Sequence, residues 1–186
     1  MNSIFRDKTV VFICVKSFNF EGFIRNRLSV LGAEVIYFDE RPSNSWLTKA
    51  LIRFKKNWQQ KRIVGYYEDV FASLKGKKVD YLLVLRGEVI PYDFIEKFSN
   101  QWPNARRIFY TSDSIANNPN PLEILPCFHR TVTFDSEDAK NYAISYQPLF
   151  FDDAYMVQDL NRDRMLDVSF IGTLHSDRAV FVRKLM

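Results

Sequence analysis

Five short runs of apolar residues recur along the chain without alternating with polar ones, and they constrain its fold more than any other feature. They cover residues 9–15, 34–39, 79–85, 107–111 and 131–135. Strands that lack alternation are buried on both faces, and such strands belong to parallel sheets that helices cover on both sides. We therefore predict an α/β domain with a Rossmann-like parallel sheet and helices on both faces.

Helical patterns lie between several of these runs and would supply the crossover connections. The clearest pattern places the apolar residues of 20–31 on one helix face, and Gly32 marks the end of that helix. A second pattern begins after Pro91, a residue that suits the first turn of a helix. Strand, helix and strand thus follow one another as a parallel sheet requires.

The chain separates into three parts by composition. Residues 1–150 hold the apolar runs, whereas residues 151–166 are polar and mix acidic with basic side chains. The last twenty residues, 167–186, read as a strand, a glycine turn and the start of a helix. We predict a Rossmann-like domain over 1–150, a linker over 151–166, and the beginning of an incomplete second domain over 167–186.

The composition argues against several classes of protein. No apolar run approaches the ~18 residues of a membrane span, and no signal-peptide core is present near the start. Cys14 and Cys127 lack metal-ligand spacing, and only two histidines occur, so we expect free thiols, no metal site and no cofactor. We expect a cytoplasmic protein whose net charge of +4 gives it a mildly basic surface.

Ligands of open parallel sheets bind beyond the carboxyl ends of the strands, which directs attention to the strand tips. The first tip, VKSFNFEG, lacks the G-x-G-x-x-G pattern, which disfavours a dinucleotide-binding domain. A phosphate-accepting receiver domain would need an acidic cluster after the first strand and an aspartate after the third. Lys16 and Ser17 occupy the first of these places and Arg86 the second, so this class is disfavoured too.

Charged residues at the third and fourth tips are the strongest candidates for chemistry. Arg86, Gly87 and Glu88 place a cation and a carboxylate beside a glycine, and a strand-end ion pair with a glycine turn would explain the same residues. Asp113 lies between two serines, where it could orient a sugar hydroxyl or act as a general base. The alternative for this segment is a helix cap formed by Ser112 or Asp113.

Residues 46–64 form a basic pattern with an apolar stripe and no acidic residue. Such a helix could lie on an anionic membrane surface with its apolar face down. Core packing with a solvated basic face is the alternative, and no nucleic-acid-reading module accompanies the pattern, so we expect no nucleic acid as partner. The residues that we expect at the membrane are Lys55, Lys56, Lys61 and Arg62.

Several segments together resemble the N-terminal part of a family of bacterial glycosyltransferase-like proteins. They are, in chain order, RGEVIPYDFIEKF, YTSDSIANNPN, VTFDSEDAKNY, QPLFFDD and DVSFIGTLHSDR. The resemblance is to CgeB-like proteins and to transferases of lipopolysaccharide or capsule biosynthesis. It implies the GT-B architecture, in which two Rossmann-like domains face each other across a cleft.

In that architecture the N-terminal half mainly binds the acceptor and the C-terminal half mainly binds the nucleotide-sugar donor. The resemblance implies that this chain carries the acceptor half with a glycan or lipid-linked acceptor, that a C-terminal donor domain is missing, and that the chain alone transfers nothing. It implies Glu88 or Asp113 as catalytic base. The implied acceptor-binding residues are Lys16, Ser17, Asn19, Arg86, Gly87, Ser112, Ser114 and Asn117. The implied interdomain-cleft residues are Gly172, Thr173, His175 and Arg178.

Two positions depart from the family pattern. Ser112 and Asn118 stand where an aromatic residue is usual, which would loosen a stacking surface for sugar rings. Two hypotheses therefore follow from the sequence. The first is a glycosyltransferase-like domain of surface polysaccharide biosynthesis, peripheral at the inner face of the cytoplasmic membrane. The second is a non-catalytic α/β module that binds glycan, a membrane surface or a protein partner.

Overall fold

The computed structural model describes residues 4–42, 56–151, 156 and 178–185. The chain forms two compact units, Met1–Phe150 and Phe151–Met186. The second unit contributes one described helix, and most of the expected linker and the strand expected to follow it lie outside the described residues.

The first unit is built on a six-stranded parallel sheet, which confirms the predicted fold class. The strands lie in the order β2-β1-β3-β4-β5-β6, and every neighbouring pair is parallel. In chain order they are β1 (Thr9–Cys14), β2 (Glu34–Asp39), β3 (Tyr81–Leu85), β4 (Arg106–Thr111), β5 (Arg130–Thr133) and β6 (Ser145–Tyr146).

The described helices are mostly the crossovers that a parallel sheet requires. They are α1 (Phe20–Val30), α2 (Lys56–Leu74), α3 (Tyr92–Gln101), α4 (Ser136–Tyr142) and, in the second unit, α5 (Arg178–Leu185). Two short 3-10 helices, Asn120–Glu123 and Leu125–Cys127, connect β4 to β5. The α1 helix ends as predicted before Gly32, whose φ of 96° suits glycine.

Helices cover both faces of the sheet, and the two faces differ in depth. The larger core lies where α2 and α3 pack on one face, with Phe98 and Leu74 fully buried against strand residues such as Val84. On the other face, Phe12 and Cys14 of β1 pack with a smaller group that includes Ile24 of α1. The alternation along β1 thus sends successive side chains into two separate cores.

The strand order creates a crevice at one end of the sheet. The chain leaves β1 for β2 on one side and then crosses to β3 on the other side. Loops that follow β1 and β3 therefore diverge at their carboxyl ends, and this is where open α/β sheets bind ligands. The loops concerned are residues 15–19 and 86–91.

Candidate functional site

The turn that leaves β3 has an unusual backbone. Arg86 and Gly87 are both left-handed, with φ of 82° and 67°. This conformation costs an L-residue about 1–2 kcal/mol, so Arg86 must be held there by its surroundings. The Arg86 carbonyl accepts a hydrogen bond from the Asn118 amide at 3.1 Å, and the Glu88 carbonyl accepts one from the Asn120 amide at 2.6 Å. Asn118 therefore fixes this turn from a buried position.

A fully buried acid, Glu40, supports the same turn from beneath. Its two carboxylate oxygens accept hydrogen bonds from the backbone N–H of Gly87 at 3.2 Å and of Val89 at 2.8 Å. Burial raises the pKa of Glu40 to about 7, although the Val89 donor opposes that shift. Glu40 was not among the residues predicted for the site. The only available signal was an acid directly after an apolar strand.

Stability should depend on pH through Glu40. Its pKa is about 7 in the fold against 4.5 for a free glutamate, so the folded state binds the proton more tightly. This contribution is fully present below pH 4.5 and is lost as pH rises through 7, a loss of roughly 3 kcal/mol. We expect the free energy of unfolding of the unmodified protein to fall by this amount as pH rises across that range, relative to that of Glu40→Gln, when both proteins are unfolded with urea. A difference between the two proteins that stays constant with pH would contradict this assignment.

Ion pairs above the turn bring together three of the residues predicted for the site. The Glu88 carboxylate accepts hydrogen bonds from Nε (3.0 Å) and Nη2 of Arg41. Its Oε2 atom also lies 3.6 Å from Nε of Arg86. Nη2 of Arg86 in turn lies 3.5 Å from Oδ2 of Asp113. Arg86, Glu88 and Asp113 thus form one charged cluster. Arg41 completes this cluster, and it was not among the residues predicted for the site.

The loop after β4 orients Asp113. Its Oδ1 atom accepts hydrogen bonds from the Ser114 backbone N–H at 3.0 Å and the Asn117 amide at 3.3 Å. Buried Asp138 anchors the loop by accepting a hydrogen bond from the Ile115 N–H at 2.8 Å. Asp113 keeps about a third of its side chain exposed, so a ligand in the crevice could reach it. Ser112, the neighbour on the other side, is exposed.

The loop after β1 does not join this cluster through any hydrogen bond or ion pair among the described residues. Lys16 is exposed, and the Ser17 N–H donates to buried Glu21 at 3.2 Å. Asn19 is left-handed with φ of 62°, as is Phe18 with φ of 50°. The three residues predicted here for acceptor binding therefore lie at the crevice but on its other side.

A cleft of about 630 Å³ opens beside the cluster, between α2, the β3–α3 loop and the first 3-10 helix. Buried Ile63 and Ile90 form its apolar base. Side chains with carboxylate, carboxamide, phenol or aliphatic groups surround it, and no described lysine or arginine lines it. They include Gln60, Glu88, Tyr92, Asp93, Asn120, Leu122 and Glu123. Of these the sequence had singled out only Glu88.

The remaining predicted residues are placed only in part. Gly172, Thr173 and His175 lie outside the described residues, and Arg178 is the first residue of α5. Of the basic residues expected at the membrane, Lys55 also lies outside the described residues, Lys56 begins α2, and Lys61 and Arg62 are exposed on that helix.

Across the described ranges, none of the helices has the length and apolarity to cross a membrane. The same ranges hold no cluster of three acidic, histidine or cysteine side chains that could bind a metal ion.

Comparison with known proteins yields only distant structural likenesses. No family model matches the chain, and no curated protein matches it in sequence. One similar solved structure is the RcsB response regulator of Salmonella typhimurium, with 12% identity and a TM-score of 0.41. The match covers 80% of this chain and 64% of the RcsB chain, which is less than two thirds of the length of RcsB. Another is a putative pilus assembly-related protein of Burkholderia pseudomallei, with 11% identity and a TM-score of 0.36, covering 77% and 89%. Likenesses this weak carry no argument about function.

Proposed function

We propose that the first unit is the acceptor-binding domain of a glycosyltransferase-like protein of surface polysaccharide or lipopolysaccharide biosynthesis. Transfer would need a second half that binds a nucleotide-sugar, because donor and acceptor must be held in line for reaction. On this proposal the chain described here binds an acceptor but does not transfer a sugar by itself. Peripheral association with the inner face of the cytoplasmic membrane belongs to the same proposal.

The observation that carries the proposal is the composition of the cleft. Carboxylate and carboxamide groups, such as those of Asp93 and Asn120, can accept hydrogen bonds from sugar hydroxyls. Tyr92 and Leu122, each about two-fifths exposed, offer surfaces for the apolar faces of a sugar ring. Three acidic side chains and no described basic side chain line the cleft. The cleft therefore suits a neutral, hydroxyl-rich part of an acceptor better than a phosphate.

Asp113 is the better of the two candidates for the catalytic base. Glu88 is mostly buried and engaged by Arg41 and Arg86, which leaves its carboxylate little surface for contact with an acceptor hydroxyl. Asp113 is more exposed and makes a longer contact with Arg86. We assign Glu88 a positioning role, in which it holds Arg86 beside Asp113.

Saccharide binding to this chain tests the proposal directly. Replacing Tyr92 with alanine removes an exposed aromatic surface of the cleft and should weaken binding of a neutral oligosaccharide about fivefold, since ring contacts contribute on the order of 1 kcal/mol. Tyr142→Ala is the matched control, because Tyr142 is equally exposed but lies on α4. Saturation-transfer NMR with neutral and phosphorylated saccharides gives the measurement. An equal effect of both substitutions, or no saccharide binding by the unmodified chain, would refute the proposal.

The alternative is a non-catalytic binding module. The ion pairs of Glu88 and Asp113 favour it, because neither carboxylate is free of a cationic partner. The two functions differ in a transfer assay on a protein that also carries a donor-binding half. Asp113→Asn abolishes transfer if Asp113 is the base, and it leaves transfer unchanged if the first unit only binds.

A further inference from the structure

Charged side chains of the first unit are segregated between the two ends of the sheet. The carboxyl ends of the strands, the described loops after them and the first turns of α1, α3 and α4 hold nine acidic and three basic residues. The acidic ones are Glu21, Asp39, Glu40, Glu88, Asp93, Asp113, Asp135, Glu137 and Asp138, and the basic ones are Lys16, Arg41 and Arg86. The opposite end has the reverse balance, and its acids among the described residues are Asp7, Glu34 and Asp80. We define the amino-end surface by the basic residues there, Arg6, Lys8, Lys75, Lys77, Lys78, Arg106, Arg107 and Arg130.

Most of the positive charge at this end is not neutralised. Asp80 pairs with Lys8 at 3.2 Å and with Lys78 at 3.5 Å. Five further basic residues are exposed and make no ion pair with any described residue. They are Arg6, Lys75, Lys77, Arg106 and Arg130.

The topology spreads these cations over an area rather than along a groove. Arg6 precedes β1, Lys75 and Lys77 precede β3, and Arg106 and Arg130 begin β4 and β5. These four strands are adjacent in the sheet, so the row spans about 14 Å at the usual strand spacing. The loop Lys75–Lys78 widens it, and Gly76 there has a φ of 75°. The surface therefore suits an extended, negatively charged plane.

Apolar side chains at the same end favour a lipid bilayer over a nucleic acid. Ile4 is 74% exposed and Val30 is 59% exposed, and the backbone hydrogen bond from Phe5 to Leu31 holds their segments together. Aliphatic side chains beside basic ones can enter the headgroup region of a membrane. The aromatic ring of Trp102, which a base could stack on, is instead buried and donates its indole N–H to the Lys77 carbonyl.

We propose that the amino-end surface docks on an anionic lipid bilayer. The candidate cleft lies at the other end of strands that are about 20 Å long, so it faces away from the membrane in this orientation. This inference stands independently of the proposed glycan binding. It also differs from membrane contact through Lys61 and Arg62, which lie about 20 Å along α2 from its end at Leu74.

Flotation of the full chain with phosphatidylcholine vesicles, with and without phosphatidylserine, tests this proposal. We expect binding that needs phosphatidylserine and weakens as salt is added. Each basic side chain near an anionic surface contributes about fivefold to binding, so exchanging four of them for glutamine should weaken it at least about a hundredfold. The substitutions are Lys75→Gln, Lys77→Gln, Arg106→Gln and Arg130→Gln.

A second variant removes the same charge elsewhere. Its substitutions, all at exposed positions, are Lys16→Gln, Lys61→Gln, Arg62→Gln and Lys140→Gln. We expect this variant to bind nearly as the unmodified chain does, and Arg106→Lys with Arg130→Lys to preserve binding. A larger loss of vesicle binding in the second variant than in the first would overturn the proposal in favour of membrane contact through α2. Binding to a duplex oligonucleotide but not to vesicles, or binding to neither, would overturn it as well.

Discussion

Replacing Gly87 with alanine should lower the free energy of unfolding by about 4 kcal/mol. The residue has a φ of 67°, which costs an L-residue about 1–2 kcal/mol. A Cβ atom there would also lie 2.6 Å from Cε2 and 2.7 Å from Cζ of Phe109, a ring that is completely buried. Since such a ring cannot move without disturbing the core, overpacking adds about 1–3 kcal/mol.

Two other glycines separate these causes in urea unfolding. Gly76 has a φ of 75° with no atom within 4 Å of the added Cβ, so Gly76→Ala should cost only about 1 kcal/mol. Gly65 lies inside α2 with similar open space, so Gly65→Ala should stabilise the protein by up to about 1 kcal/mol. Equal costs at Gly87 and Gly76 would show that Phe109 does not restrict the turn.

Replacing Glu40 with alanine should cost about 4 kcal/mol at pH 5. The substitution leaves the N–H groups of buried Gly87 and partly buried Val89 without their acceptor, at about 1–3 kcal/mol each, and it opens a cavity in a completely buried position. The cost should be smaller at pH 8. At that pH the Glu40 carboxyl group of the unmodified protein is ionised, and burial makes the ionised form unfavourable.

Glu34 offers a matched control for this experiment, because it stands at the other end of β2. Its side chain accepts one hydrogen bond, from the Thr9 hydroxyl at 3.3 Å, and the residue is exposed. Glu34→Ala should therefore change stability by less than about 0.5 kcal/mol. A small effect of Glu40→Ala at pH 5 would mean that the β3 turn holds its shape without the buried acid.

The sheet could be predicted from the sequence because burial on both faces leaves a plain pattern. The run 34–39 matches β2 at both ends, and the run 9–15 exceeds β1 by a single residue.

The extent of helix α2 was harder to predict from the sequence. The sequence pattern covered 46–64, yet the helix continues to Leu74 through Tyr67 and Val70, which pack into the larger core. Its apolar residues are interrupted by Gly65 and by charged positions, so tertiary packing rather than periodicity fixes its end.

The candidate site could be predicted only in part, from residues that follow the adjacent strands β3 and β4. Parallel strands bring their carboxyl ends to one edge, which was enough to place Arg86, Glu88 and Asp113 near one another. Arg41 and Glu40 were missed as partners because their contacts cross from β2 to the β3 turn, 47 positions along the chain. No local pattern encodes such a pairing, and the cleft likewise depends on how α2 packs.

The two thiols of the first unit differ in their chemical reactivity. Cys14 is buried in the central part of the sheet, and desolvation raises the pKa of its thiol to about 12. The thiolate is the nucleophile in alkylation, so Cys14 is inert while the strands around it stay paired. Cys127 is only partly buried, so a reagent in solvent can reach it more easily than Cys14. A modified Cys14 therefore records that its molecule has opened, and the chain carries its own internal reporter of unfolding.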